Sequence, residues 1–156
     1  MPIEPIIRDA VETDVDTMSL LLEQLFNIEQ DFSVDRDKQR RGLQRLLECE
    51  QAKILVVEIE GRVIGMVTLQ ILISTAEGGP VGLLEDMAVD EAFRDQGIGE
   101  QLLKRMEEWS KTQGLPRLQL LADRNNTRAL DFYLRQGWTA TELIGLRRRL
   151  PIRLSP

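Results

Sequence analysis

The spacing of apolar positions changes several times along the chain, and each change marks a predicted helix or strand. Residues 4–9 predict a short first strand. Apolar residues at helical spacing then predict a helix that Thr13 or Asp14 caps and that runs to about Ile28. A second helix is predicted to begin near Asp35, with leucines on one face and basic side chains on the other.

The middle of the chain carries the strongest strand signals. Residues 53–60 and 63–73 are rich in branched apolar side chains and predict two antiparallel strands joined by a tight turn. Residues 83–89 predict a fourth strand, and an amphipathic helix follows it as far as about Gln113. Residues 117–122 then predict a fifth strand.

The C-terminal part predicts one more helix and a closing pair of strands. Asn125 or Asn126 can cap a helix that ends at Gly137. Residues 138–143 and 144–150 predict two antiparallel strands. No linker or repeat interrupts this order, so we expect one domain over residues 1–156, of the α/β or α+β class, with helices packed on a central sheet.

Composition places the chain among ordinary globular proteins. It has 156 residues, of which 42% are hydrophobic and 29% charged, enough to bury a core without disulfides. The sequence has no long apolar run and no pattern of a signal peptide at its start, so we expect neither a membrane partner nor export. Cys49 is the only cysteine, and a cytoplasmic location fits these observations.

The absence of histidine narrows the possible chemistry. It excludes Ser-His-Asp and Cys-His mechanisms and, with one cysteine, leaves no expected metal site. Any acid–base catalysis must therefore come from Glu, Asp, Tyr, Lys, Cys or ordered water. The net charge of −6 argues against general nucleic-acid binding.

A glycine-bearing loop after the fourth strand is the most informative feature. The loop opens a helix, so its free N–H groups and the positive end of the helix dipole can hold a phosphorylated ligand. Glycines in it permit sharp bends and a close approach of the ligand. The residues concerned are Arg94, Asp95, Gln96, Gly97, Ile98 and Gly99.

Two motifs together resemble one family. The loop matches the pattern [RQ]-x-x-G-x-[GA] and follows a LEDMAV strand, and residues 126–138 match N-x-x-A-x-x-F-Y-x-x-x-G-W. The chain thereby resembles the GNAT superfamily of acyl-CoA-dependent N-acetyltransferases, and the element order agrees along nearly its whole length. The resemblance implies a central, mostly antiparallel mixed sheet of six to seven strands flanked by about four helices.

The resemblance also implies a cofactor and its binding residues. The cosubstrate would be acetyl-CoA, with its diphosphate on the backbone of residues 94–99 and its pantetheine arm in an opening between the fourth and fifth strands. Asn126 would contact that arm, and Tyr133 would donate a proton to the departing CoA thiolate. Backbone groups pairing with the arm would come from Met87, Ala88 and Val89.

The general base is a carboxylate of the fourth strand or water. An amine must lose its proton before it attacks a thioester at neutral pH. Strand alternation places Leu83, Glu85 and Met87 on one face and Asp86 on the other. Glu85, acting through water, is the predicted base, with Asp86 or no protein base as alternatives. A backbone N–H near Met87 or Val89 is the predicted oxyanion donor.

The acceptor amine is not identified by the sequence. A small molecule or a peptide amine both fit, and acidic residues near the expected acceptor loops slightly favour a cationic one. They are Glu29, Asp31, Asp35, Glu77 and Glu142. The alternatives are a non-catalytic acyl-CoA sensor and a nucleotide-binding module, although the second lacks the glycine pattern it would need. A homodimer is possible from the family resemblance.

Overall fold

The computed structural model describes residues 4–28 and 33–153. Short 3₁₀ turns at Glu12–Asp14 and Glu91–Phe93 supplement the regular elements. Those elements, in chain order, are β1 (Ile6–Asp9), α1 (Val15–Ile28), α2 (Arg36–Glu48), β2 (Ala52–Ile59), β3 (Arg62–Ser74), β4 (Gly79–Val89), α3 (Ile98–Thr112), β5 (Leu118–Gln119) and α4 (Thr127–Arg135).

The five strands form one mixed sheet in the order β1-β2-β3-β4-β5. Every neighbouring pair is antiparallel except β4 and β5, which run parallel. This confirms the mixed α/β class and a mostly antiparallel sheet with four helices beside it. The number of strands in the described chain is lower than the predicted six to seven.

Two apolar cores cover the two faces of the sheet. On one face, α1 and α2 pack with Met18, Leu43 and Met66 among the fully buried side chains. On the other face, α3 packs on the sheet and its side chains Leu102 and Met106 are fully buried. Phe132 and Tyr133 of α4 lie against the same core. The sheet is therefore buried on both faces over β2 and β3, as their near-continuous apolar runs predict.

The predicted closing strands are wrong. Residues 138–153 contain no strand, and the fifth strand shrinks from the predicted residues 117–122 to Leu118–Gln119. Apolar alternation identifies a segment that can pair, but a strand forms only where a sheet edge pairs with its backbone. Among the described residues, no backbone hydrogen bond joins the segment after Trp138 to the sheet.

The predicted alternation of β4 is also wrong, because a bulge interrupts it. Met66 pairs with Ala88 and Thr68 pairs with Glu85, so two residues of β4 lie opposite Val67 alone. One of those two is Asp86, which has a φ of 49°. The inserted residue changes which face each later side chain reaches, with direct consequences for the candidate site.

Candidate active site

A groove of about 580 Å³ opens at the end of β4. Its walls come from that strand, the loop leading into α3, the start of α3 and the inner face of α4, and Leu25 and Ile28 of α1 close one end. A groove of this size is in the range of small-molecule and cofactor sites.

The strands β4 and β5 are paired over two residues only, and the part of β4 beyond them contributes to the groove. The two strands pair only where Gly82 meets Leu118 and Leu83 meets Gln119. Past Leu83, the edge of β4 that faces β5 has no strand partner within the described chain. Backbone N–H and C=O groups on such an edge can pair with an extended ligand. The predicted residues Met87, Ala88 and Val89 line the groove at this edge.

The glycine loop turns sharply before α3 begins. Asp95 has a φ of 63° and Gly97 a φ of 78°, so two residues of the loop are left-handed. Gly97 is the N-cap of α3 and provides no side chain to accept from the first N–H groups of the helix. Those groups therefore remain available to a ligand. Of the predicted loop residues, Arg94, Asp95, Gly97 and Gly99 line the groove.

Two predicted loop residues do not line the groove. Ile98 is buried in the core below α3, because it is the first apolar position of that helix. Gln96 is exposed and lies outside the lining residues. The loop can still present their backbone groups, but the structure places neither side chain in the groove.

Ion pairs and hydrogen bonds fix the loop in place. Arg94 donates from Nε to the carbonyl of Val89, with a separation of 3.1 Å. Arg128 on α4 pairs with Asp95 at 2.6 Å, so the first turn of α4 is tied to the loop. This pair also offsets the charge of a carboxylate that would otherwise repel an anion.

Helix α4 provides both remaining predicted residues. The Asn126 side chain accepts from the N–H of Ala129 at 3.1 Å, which caps the helix and fixes the side chain at the groove. About two turns further, Tyr133 is half-buried and packs edge-on against Phe132 and Trp138, with ring centroids 5.2 Å and 5.7 Å away. Aromatic contacts of this kind hold the phenol in one orientation beside the groove.

The bulge brings Glu85 and Asp86 to the same side of the sheet. The side chains of directly paired residues in antiparallel strands point to the same face of the sheet. Glu85 is paired with Thr68, so both side chains lie on one face. Asp86 reaches the same threonine, whose Oγ1 donates to its Oδ2 at 3.3 Å. Leu84 and Ala88 consequently belong to opposite cores. Neither carboxylate lines the groove itself.

The two carboxylates have different environments. Glu85 is exposed, whereas Asp86 is half-buried. The pKa of Asp86 is raised to about 6, because burial and, to a lesser extent, the charge of Glu85 raise it while the hydrogen bond from Thr68 opposes both. The burial that would adapt a carboxylate to base catalysis is therefore found at Asp86 rather than at Glu85.

Several groove residues were not predicted from the sequence. Two of them are arginines and two are phenylalanines, and the i, i+3 and i, i+4 spacing of those on α4 is the signal that could have identified them. They are Phe93, Glu100, Arg128, Ala129, Phe132, Arg135 and Gln136, with Leu25 and Ile28 of α1. Glu29 and Asp31, two of the acidic residues predicted near the acceptor, lie outside the described residues.

Two features are absent from the described residues 4–28 and 33–153. No cluster of three or more metal-ligating side chains is present in them. None of their helices combines the length and the apolar character that a membrane span requires.

Comparison with known proteins identifies the family. The model of the acetyltransferase (GNAT) family matches residues 20–138. The chain belongs to the GNAT acetyltransferase family. That match spans the elements that build the groove, from α1 to the end of α4.

Individual relatives agree with this assignment. An uncharacterized N-acetyltransferase of Methanocaldococcus jannaschii is 29% identical over 100 residues. This stretch is 64% of the present chain but only 44% of that relative, so the chain spans less than half the length of the curated relative it matches.

Two solved structures share the fold over nearly their full length. One is an aminoglycoside acetyltransferase from an uncultured soil metagenomic sample, solved with trehalose. Its TM-score is 0.76 and its sequence identity 26%, and the match covers 94% of this chain and 95% of that protein's chain. The aminoglycoside N-acetyltransferase AAC(6')-Iy in complex with CoA has a TM-score of 0.83 and 20% identity, covering 96% and 97%. The second likeness shows the fold alone.

Proposed function

We propose that this chain transfers the acetyl group of acetyl-CoA to a primary amine, by direct attack in a ternary complex. One observation carries the proposal. A single groove joins the uncapped start of α3, the strand-free edge of β4 and the Tyr133 ring. These are an anion site, a backbone-pairing edge and a proton donor in one place.

The residues present fit CoA. Gly97 has a left-handed backbone, and an added Cβ there would meet no atom within 4 Å, so the space beside the helix start is open. Arg94 and Arg135 line the same groove and provide positive charge for phosphates, while Arg128 neutralises Asp95 beside them. Asn126 lies where it can contact the pantetheine arm. Acetyl-CoA would provide the activated acyl group, and the chain would hold and orient it.

Two proton transfers and one oxyanion contact complete the proposed mechanism. Tyr133 protonates the leaving thiolate, and the backbone N–H of Met87 or Val89 stabilises the oxyanion. The amine proton goes to the carboxylate pair of β4. Glu85 can take it through water, as the sequence predicts, and Asp86 is the alternative that its raised pKa favours. The two assignments predict different pH profiles.

The acceptor is proposed to be a cationic amine, either a small molecule or a peptide amine. Support comes from the two adjacent carboxylates on one side of β4, which attract a positive charge. The two solved relatives are aminoglycoside acetyltransferases, and aminoglycosides therefore belong in any acceptor panel. We propose a single domain over residues 1–156 and a cytoplasmic location.

A thiol-release assay tests the function. The protein is incubated with acetyl-CoA and a panel of aminoglycosides, polyamines, amino acids and peptides, and free CoA thiol is measured over time. At least one amine should produce turnover together with an acetylated product of the expected mass. Binding of CoA with no thiol release for any amine would instead support the non-catalytic acyl-CoA sensor.

A further inference from the structure

A short segment joins the two parts of the groove that CoA is proposed to occupy. Residues 90–93, here called the bridging segment, lie between the end of β4 and Arg94, the first residue of the glycine loop. The backbone-pairing edge of β4 lies before this segment, and the uncapped start of α3 lies after it. The position of the segment therefore sets the distance between the site for the pantetheine arm and the site for the diphosphate.

Hydrogen bonds give the bridging segment a defined turn. The Asp90 side chain accepts from the N–H of Ala92 at 2.9 Å and begins the 3₁₀ turn Glu91–Phe93. The N–H of Asp90 donates to the carbonyl of Ile64 at 2.8 Å, so the turn starts where β4 leaves β3. A single 3₁₀ turn has poor hydrogen-bond geometry and little stability of its own. Its position therefore depends on contacts from other elements.

Arg62 of β3 contacts the bridging segment at two points. Its guanidinium pairs with Asp90, with Nη2 3.2 Å from Oδ2, and the Asp90 side chain is only 15% exposed. The same guanidinium lies over the Phe93 ring, 5.9 Å from its centroid. Phe93 lines the groove, whereas Arg62 does not. Arg62 can therefore act on the groove only through the two residues that it contacts.

Helix α1 contacts the bridging segment from a second direction. The Gln24 side chain accepts from the N–H of Glu91 at 3.2 Å. The next residue of α1, Leu25, lines the groove. The bridging segment is thus held between β3 and the helix that closes one end of the groove.

We propose that Arg62 and Gln24 are positioning residues for CoA, and that they fix the spacing between its diphosphate site and its pantetheine site by holding the bridging segment. A ligand that spans two sites binds more tightly when the protein already holds both at the correct spacing, because less ordering accompanies binding. The inference rests on the proposed function in one respect, that CoA occupies the groove, and it does not require turnover.

Two charge substitutions distinguish positioning from simple attraction of an anion. Arg62→Met and Asp90→Asn both remove the ion pair, but they change the net charge in opposite directions. Attraction alone predicts weaker CoA binding in the first variant and tighter binding in the second. Positioning predicts weaker binding in both, by about tenfold for Arg62→Met. The double variant should lose no more affinity than Arg62→Met alone. Asn at position 90 can still cap the turn.

Calorimetric titration with CoA measures these affinities, and further variants serve as controls. Arg62→Lys keeps the charge and should restore most of the affinity. Arg41→Met removes the charge of an exposed arginine outside the groove and should leave the affinity unchanged. Gln24→Leu removes the second contact and should weaken CoA binding.

A fragment of CoA tests the spacing itself. Adenosine 3′-phosphate 5′-diphosphate carries the diphosphate but no pantetheine arm, so it should bind the wild type and Arg62→Met equally. Equal CoA affinities in the wild type, Arg62→Met and Asp90→Asn would overturn the inference and leave the proposed function intact. Tighter CoA binding in Asp90→Asn, or an equal loss for the fragment and for CoA, would also overturn the inference alone. Absence of CoA binding in the wild type would overturn the proposed function with it.

Discussion

Thr68 donates a hydrogen bond from Oγ1 to Oδ2 of Asp86 across 3.3 Å. The two residues lie on β3 and β4, at the bulge of this strand pair beside the groove. Thr68 is fully buried in the face that α1 and α2 cover, whereas Asp86 is only partly covered. The bond stabilises the charged form of the carboxylate, so it lowers a pKa that burial and Glu85 both raise. The bulge thus places a titratable group next to the strand edge where the thioester is proposed to lie.

The first prediction concerns the pH dependence of kcat/KM. If Asp86 is the base, the acid limb should have an apparent pKa near 6. Thr68→Val removes a hydrogen bond to the charged form and should move this limb to higher pH, whereas Glu85→Gln removes a neighbouring negative charge and should move it to lower pH. Rates of acetyl transfer measured from pH 5 to 9 provide the profile.

The variants also separate the two base assignments. Thr68→Ser keeps the hydroxyl and should leave the limb near its original position. If Glu85 acts through water instead, Glu85→Gln should lower the plateau rate by about 100-fold rather than displace the limb. An acid limb unaffected by any of these substitutions would remove both carboxylates from the mechanism.

The second prediction concerns stability. The folded-state pKa of Asp86, about 6, lies above its ordinary value of 3.8. The folded protein therefore holds the proton more tightly than the unfolded chain, and stability falls as the pH rises from about 4 to 6. Asp86→Asn removes this cost and should raise the free energy of unfolding at pH 7.5 by on the order of 2 kcal/mol, with no gain near pH 4. Asn also tolerates the left-handed backbone at this position.

Urea denaturation at the two pH values measures this difference. Glu85→Gln serves as the matched control, because Glu85 is exposed and its substitution should alter stability much less. Destabilisation by Asp86→Asn at pH 7.5 would mean that the charged carboxylate makes favourable contacts that the raised pKa does not reflect.

The third prediction concerns Tyr133. Tyr133→Phe keeps the ring that packs between Phe132 and Trp138 and removes only the hydroxyl. Turnover should fall by roughly ten- to a thousandfold, with nearly unchanged CoA affinity. Steady-state thiol release and calorimetry measure the two quantities. Unchanged turnover would show that another group or water protonates the thiolate.

The fourth prediction compares two left-handed glycines. Gly97 and Gly114 have φ values of 78° and 71°, and an added Cβ would meet no atom within 4 Å at either. Substitution by Ala should therefore cost about 1 kcal/mol of stability at both positions. Only Gly97→Ala should weaken CoA binding, by tenfold or more, because only Gly97 lines the groove. Equal affinities in the two variants would separate the loop from CoA binding.

The sequence predicted the fold class and half of the residues that line the groove, because the signals for these are local. Asn126 caps α4, Gly97 immediately precedes α3, and near-continuous apolar runs mark β2 and β3, all of which depend on a few neighbouring residues. The bulge at Asp86 was missed because the extra residue is defined by the partner strand, not by β4 itself. The prediction of strands from Trp138 onward was wrong for a related reason. Apolar alternation does not specify which strand edge, or which molecule, would pair with the backbone of the segment.

A calorimetric titration of the full chain with CoA tests the central claim most directly. The account predicts saturable binding at one site per chain, with tenfold weaker or undetectable binding in Gly97→Ala and unchanged binding in Gly114→Ala. Absence of any binding heat at millimolar CoA, confirmed by the absence of thermal stabilisation under the same conditions, would contradict it.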